Sequence, residues 1–190
     1  MDTGSINKMF DMFMAFGFAL AQPSLSHESY FSHSSTLRDP SYSVRFTNFV
    51  EVMGPVFSRD ALSLLHPTFD QSRTGWGLDY VWPHLLAESG FTARIGIIDA
   101  VSMTHTRPVG GGDMYQGQAD AGQYDLDQLQ RSYPSAVIDS RKQHRMFSIF
   151  GGAKNMGPRS GFLARLHGRI FRFLAKMSAR RTPRYAAGTR

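Results

Sequence analysis

Arg94-Ile95-Gly96-Ile97-Ile98-Asp99 is a compact, β-branched, apolar run closed by an acid. Its length and composition suit a buried strand. Residues 101–106 predict a second short strand, and Gly110-Gly111-Gly112 a flexible loop. Upstream, Leu78 to about Ser89 predicts a helix stopped by Gly90. Residues 66–77 form a loop that ends in Gly75-Trp76-Gly77. Residues 44–53 alternate well enough for a strand broken at Gly54-Pro55, and Ser58 caps a short helix running to about Leu65.

Further out, Ile6, Met9, Phe10, Phe13, Phe16 and Leu20 recur at helical spacing, so residues 5–20 predict a helix capped by Ser5 and ended by Gln22-Pro23. Residues 24–43 are rich in Ser, His and Tyr and predict a polar loop. Residues 113–131 are expected to be helical in part. The alternation of helices and strands predicts an α/β fold with a small mixed sheet, too few in strands for a complete doubly wound sheet. A core domain over 1–139, a linker over 140–160 and a separate helix and tail over 161–190 is the expected organisation.

Composition narrows the chemistry. The 190 residues suit one domain, and 42% hydrophobic content argues against wholesale disorder. With no cysteine there is no disulfide, no thiolate zinc site and no cysteine nucleophile. No secretory signal or membrane span is visible, because the apolar run from Met9 to Leu20 contains Asp11 and is too short. A cytoplasmic location is expected.

Charge is uneven. Residues 151–190 hold ten Lys or Arg and no acid, whereas 1–150 hold 11 basic and 15 acidic residues. Within the tail, Leu163, Leu166, Ile170, Phe173, Leu174 and Met177 share one helical face, and Arg165, Arg169, Arg172, Lys176 and Arg180 mark another. Two readings stand for this basic amphipathic helix over 161–181: peripheral attachment to the anionic inner face of a membrane, or packing of the apolar stripe on the domain. No nucleic-acid motif is present, and nucleic acid is not expected as a partner.

The densest chemical signal is Gly75-Trp76-Gly77-Leu78-Asp79, followed by Asp99 and His105. Glycines on both sides of a Trp allow a sharp turn and close approach of a ligand. The indole face suits the C–H face of a sugar, with core packing as the alternative. Asp79, in the first turn of a helix, suits a base that takes a proton from an acceptor hydroxyl. His105, after a strand and before the Gly-rich loop, suits a ligand for a divalent cation. Plain structural roles remain open for both. Arg45 and Glu51 fall on one strand face, where an ion pair and a substrate contact are both open. Asp99 is a strand-end acid that could equally cap the next turn. His27, His33, His66 and His84 lack metal-ligand spacing and are expected at the surface.

Three stretches resemble the domain-of-unknown-function 707 family, which has glycosyltransferase character. They are Ala21-Gln22-Pro23-Ser24-Leu25, then Phe49-Val50-Glu51-Val52-Met53-Gly54-Pro55-Val56-Phe57-Ser58-Arg59-Asp60, then Gly75-Trp76-Gly77-Leu78-Asp79 through Ile97-Ile98-Asp99-Ala100-Val101 to His105-Thr106-Arg107-Pro108. The likeness covers about residues 5–130. It implies a partial GT-A-like (Rossmann-like) domain that transfers a sugar from a nucleotide-sugar donor to a carbohydrate or lipid-linked acceptor. It implies Asp79 as base, and Gly75, Trp76, Gly77, Glu51 and Asp99 as substrate-binding positions. It also implies His105 as ligand to Mn or Mg. Such families carry an acidic Asp-x-Asp cluster ahead of the region matching Ile6-Asn7, and here only Asp2 stands there. The chain is therefore expected to be an acceptor-side half, inactive alone, with a non-catalytic carbohydrate-binding module as the alternative.

Overall fold

The strand around Ile97 is the spine of the sheet. The computed structural model describes residues 1–91, 94–110, 120–136 and 149–154. Its elements are α1 (Thr3–Phe16), β1 (Leu20–Leu25), β2 (Tyr42–Thr47), β3 (Val56–Phe57), α2 (Arg59–Leu65), α3 (Leu78–Glu88), β4 (Ile95–Met103), α4 (Ala121–Ser132) and β5 (Ile149–Lys154). Short 3-10 turns occupy Ser34–Thr36 and His66–Gln71. The sheet runs β3-β1-β4-β2-β5; β1 lies parallel to β4, and the other pairings are antiparallel. This is an α/β fold with a five-stranded mixed sheet, consistent with a partial Rossmann-like domain.

Helices cover both faces of the sheet, so its central strands β1 and β4 are mostly buried. On one face Leu20 and Ile95 pack with Ala61, Leu65, Val81, Trp82 and Leu86 from α2 and α3. Trp82 keeps its polar tip satisfied there, its Nε1 donating to Thr68 Oγ1 at 3.0 Å. On the other face Ala21, Ile98 and Val101 meet Met9 and Phe13 of α1, with Phe18 beside them. Gly96 makes that contact possible: a Cβ there would lie 2.2 Å from the Phe18 ring and 2.9 Å from the Arg45 carbonyl oxygen.

Several sequence expectations shift. Asp2, not Ser5, caps α1, its Oδ1 accepting from the Ser5 amide at 2.7 Å. The helix ends at Phe16, because Gly17 turns left-handed at φ 65°. Gln22-Pro23 lies inside β1 rather than ending a helix. Pro23 is tolerated beyond the β3 pairing and at the register shift against β4. The two strands expected over 94–99 and 101–106 are one, since Ala100 and Val101 supply no turn chemistry. Strand β2 stops at Thr47, short of the expected 53. Within the 140–160 segment read as a linker, residues 149–154 form β5 and pair with β2. The expected 161–181 helix lies outside the described residues.

Candidate functional site

Ser72, Thr74 and Asp125 position the glycine-flanked tryptophan. Asp125 of α4 is buried, and its Oδ2 accepts from the Thr74 hydroxyl at 2.6 Å, the Thr74 amide at 2.8 Å and the Ser72 hydroxyl at 3.0 Å. Burial alone would push that carboxyl up; donors from Thr74, Arg73 and Ser72 outweigh it and hold it below its usual range. Gly75 and Gly77 adopt φ 81° and 91°, where a side chain is strained. A Cβ at Gly77 would lie 2.9 Å from Leu126 Cδ2, so α4 closes directly on this turn. Trp76 is half-buried, its indole 3.4 Å from where a Cβ at Gly122 would lie.

This anchored turn delivers Asp79 into the first turn of α3. The residue as a whole is half-exposed, yet its Oδ1 is shut off from solvent and has no hydrogen-bond partner. Its carboxylate also accepts backbone bonds from its own amide and those of Tyr80 and Val52. Desolvation first, and the charge of Glu51 second, outweigh those bonds and push Asp79 up to about 7.

Glu51, whose charge acts on Asp79, is 2% exposed. Its backbone amide donates to Gln22 Oε1 of β1. Its Oε1 accepts from the His33 amide and the Thr36 hydroxyl, each at 3.1 Å. Its Oε2 is sealed and unpartnered. Burial raises its pKa to about 7 against the hydrogen bonds from Thr36, His33 and Ser32. Tyr80 completes the group; desolvation and then the charges of Asp79 and Glu51 push its phenol up. The His33 and Tyr80 rings lie 4.5 Å and 6.0 Å from that of Phe49.

Of the expected site residues, Asp79 follows the Gly75-Trp76-Gly77 turn directly and feels the charge of Glu51. Asp99 is committed elsewhere. Arg45 Nε donates to its Oδ2 at 2.7 Å and Nη2 to its Oδ1 at 2.9 Å, and the Asp39 amide adds a bond at 2.9 Å. The same guanidinium donates to the carbonyls of Ser35 and Leu37, so Arg45 pairs with Asp99 and not with Glu51. His105 sits past β4, its amide donating to Ser29 Oγ at 3.1 Å and its Nδ1 to the Tyr30 carbonyl at 3.0 Å. A carbonyl only accepts, so Nδ1 carries a proton, and in the neutral ring Nε2 has the lone pair of a metal-ligating tautomer. Among the described residues no three potential ligands gather, so His105 fits only as one ligand of a cation held mostly by other groups.

Thr36 and Tyr80 carry no signal in the sequence that marks them for this group. His33, expected at the surface, is 5% exposed. The only available signal was a lone amide in an apolar run, at Gln22.

A deep α/β scaffold with a desolvated pair of carboxyls behind a pinned Gly-Trp-Gly turn is the class that fold and site define. The chain belongs to the family described as a protein of unknown function (DUF707), which matches residues 24–146. The match starts and ends later than the expected 5–130 and leaves Ala21-Gln22-Pro23 ahead of it. No curated protein and no solved structure matches the chain.

Proposed function

We propose that this chain is the acceptor-side part of a GT-A-like glycosyltransferase that uses a nucleotide-sugar donor, with Asp79 as general base. One observation carries the reading. Asp79 points a sealed, unpartnered oxygen into the protein, and its pKa is raised to about 7. A base works best when its pKa lies near the working pH. In the proposed step Asp79 takes the proton of an acceptor hydroxyl. The freed oxygen bonds to the anomeric carbon of the donor sugar, and the bond to the diphosphate breaks with its electrons on the leaving group. Trp76 would offer an indole face to a sugar ring, and Glu51 would help to hold the acceptor.

A divalent cation, Mn or Mg, would neutralise the leaving diphosphate, with Nε2 of His105 as one ligand. The acceptor would be a carbohydrate or a lipid-linked sugar. Among the described residues no helix is long and apolar enough to cross a membrane. The basic residues of 161–181 would instead seat the chain peripherally on an anionic inner membrane face, at roughly 1 kcal/mol per basic residue near the bilayer.

Glycosyl transfer and donor hydrolysis with manganese test the assignment. With a donor-binding half supplied, Asp79→Asn should lower turnover about 100-fold or more while the chain stays folded. Turnover that survives the substitution removes Asp79 as base. Sugar binding without turnover by either form selects the binding module instead. For the tail, sedimentation with anionic liposomes should be lost when residues 161–190 are removed; equal sedimentation of both forms ends the membrane reading.

A further inference from the structure

The parallel strands β1 and β4 end side by side, at Leu25 and Met103, and the turn after β1 is fastened to the residues that follow β4. The Ser26 amide donates to the Met103 carbonyl at 2.9 Å, and the Ser26 hydroxyl meets that of Thr104 at 2.9 Å. Ser29 Oγ accepts from the His105 amide at 3.1 Å and donates to the Met103 carbonyl at 3.4 Å. Tyr30 and His105 clamp each other. The Tyr30 amide donates to the His105 carbonyl at 2.9 Å, and His105 Nδ1 donates to the Tyr30 carbonyl at 3.0 Å. This fixed turn holds two large aromatic side chains out of the core, Tyr30 at 51% exposure and Phe31 at 42%. An aromatic side chain has roughly 150–250 Å² to bury, and here about half of it is left to solvent on a backbone that is tightly held.

The surroundings narrow the occupant. In sequence the two rings are set among Ser26, His27, Glu28, Ser32 and Ser34, so the apolar area is only two rings wide. A stable protein interface takes roughly 800 Å² from each partner. A ligand with a flat C–H face and hydroxyls around its edge fits both the rings and their polar rim. The carboxyl ends of parallel strands are also where open α/β sheets bind small ligands. The segment that starts at His105 leads to the other aromatic turn, since a Cβ at Gly110 would lie 3.9 Å from the Trp76 indole. Five steps of backbone span at most about 18 Å, so one oligosaccharide can reach from Tyr30 to Trp76.

We propose that Tyr30 and Phe31 form a second sugar-stacking platform beside His105, which together with Trp76 binds an oligosaccharide in preference to a monosaccharide. The Tyr30 ring packs on a C–H face, and the polar side chains around it take up hydroxyls. The choice of a sugar as ligand rests on the glycosyltransferase reading above. The platform itself needs sugar binding and not transfer, so the two can fail separately.

The test is a titration of the full chain, followed by NMR and calorimetry, with maltotetraose, cellotetraose, mannotetraose and chitotetraose and with the matching methyl monosaccharides. At least one tetraose should bind about tenfold or more tighter than its monosaccharide, with its C–H protons moved upfield by the aromatic rings. Tyr30→Ala should weaken that tetraose about tenfold and remove part of the upfield shift, whereas Tyr30→Phe should keep the affinity within about twofold. Equal affinity of Tyr30→Ala and wild type overturns the proposal, and so does the failure of every tetraose to bind. A loss that Tyr30→Phe shares in full assigns the phenol hydroxyl rather than the ring face and also overturns it. If Tyr30→Ala does not fold, Phe31→Ala is judged by the same affinity and shift. A tetraose held on Tyr30 with no transfer in the manganese assay removes the enzyme reading and leaves the platform. Transfer with an acceptor KM that Tyr30→Ala does not move removes the platform and leaves the enzyme.

Discussion

Asp99 and Asp79 are both acids placed at the edge of an apolar element, and the fold treats them in opposite ways. Asp99 receives a two-pronged guanidinium and a backbone amide, and its side chain is wholly buried. Asp79 receives backbone amides only, keeps one sealed oxygen without a partner and faces a second carboxyl. The first arrangement holds a charge in place. Arg45 also ties down the carbonyls of Ser35 and Leu37, so this pair fixes the loop that brings Thr36 to Glu51. The second arrangement leaves a sealed carboxyl oxygen unsatisfied, which costs stability and is the kind of perturbation found at sites of chemistry.

Removing the partner of the quiet acid should have the largest effect. Arg45→Met leaves the Asp99 charge buried and alone, and should cost about 3–5 kcal/mol, read from the urea midpoint. Adding Asp99→Leu should restore a good part of it. A loss under about 1 kcal/mol would mean that Asp99 is not held as described. Next, Asp125→Ala strips the acceptor from Ser72 and Thr74 and should cost about 2 kcal/mol, with a change in tryptophan emission as the Trp76 turn loosens.

The buried Glu51 should respond with the opposite sign. The folded pKa of Glu51 lies at about 7, above its unfolded value, so between the two the folded state binds more protons. Its favourable contribution is complete below the unfolded pKa and is lost as pH rises through about 7. Glu51→Gln removes that loss, and should raise stability by about 1–3 kcal/mol at pH 8 relative to pH 4. Denaturant melts at the two pH values check it; a destabilised variant at pH 8 would break the comparison. The smallest effect belongs to Thr36→Val. It removes one donor to Glu51, and should cost about 1 kcal/mol at pH 8 and less at pH 5, where the carboxyl is neutral.

Much of this was legible beforehand where local chemistry decides. The Ser58 cap, the Gly90 stop and the isoleucine run of β4 follow from neighbours in the chain. Asp79 stood out because two glycines and a Trp mark a sharp turn just ahead of it. Strand β1 was missed because all six residues are buried, which erases the alternation that identifies a strand, and because Pro23 imitates a helix stop. Thr36, His33 and Gln22 were missed because they reach Glu51 across 15, 18 and 29 positions of sequence.

Sequence alone determined the helix starts and stops, the central apolar strand, the α/β class and the family likeness, because each depends on spacing and side-chain type within a few residues. Only the tertiary structure decided which acid is neutralised and which is left unsatisfied. Desolvation and charge pairing are set by whatever the fold brings within a few ångströms. Arg45 could have met Glu51; the sheet carried it to Asp99 instead.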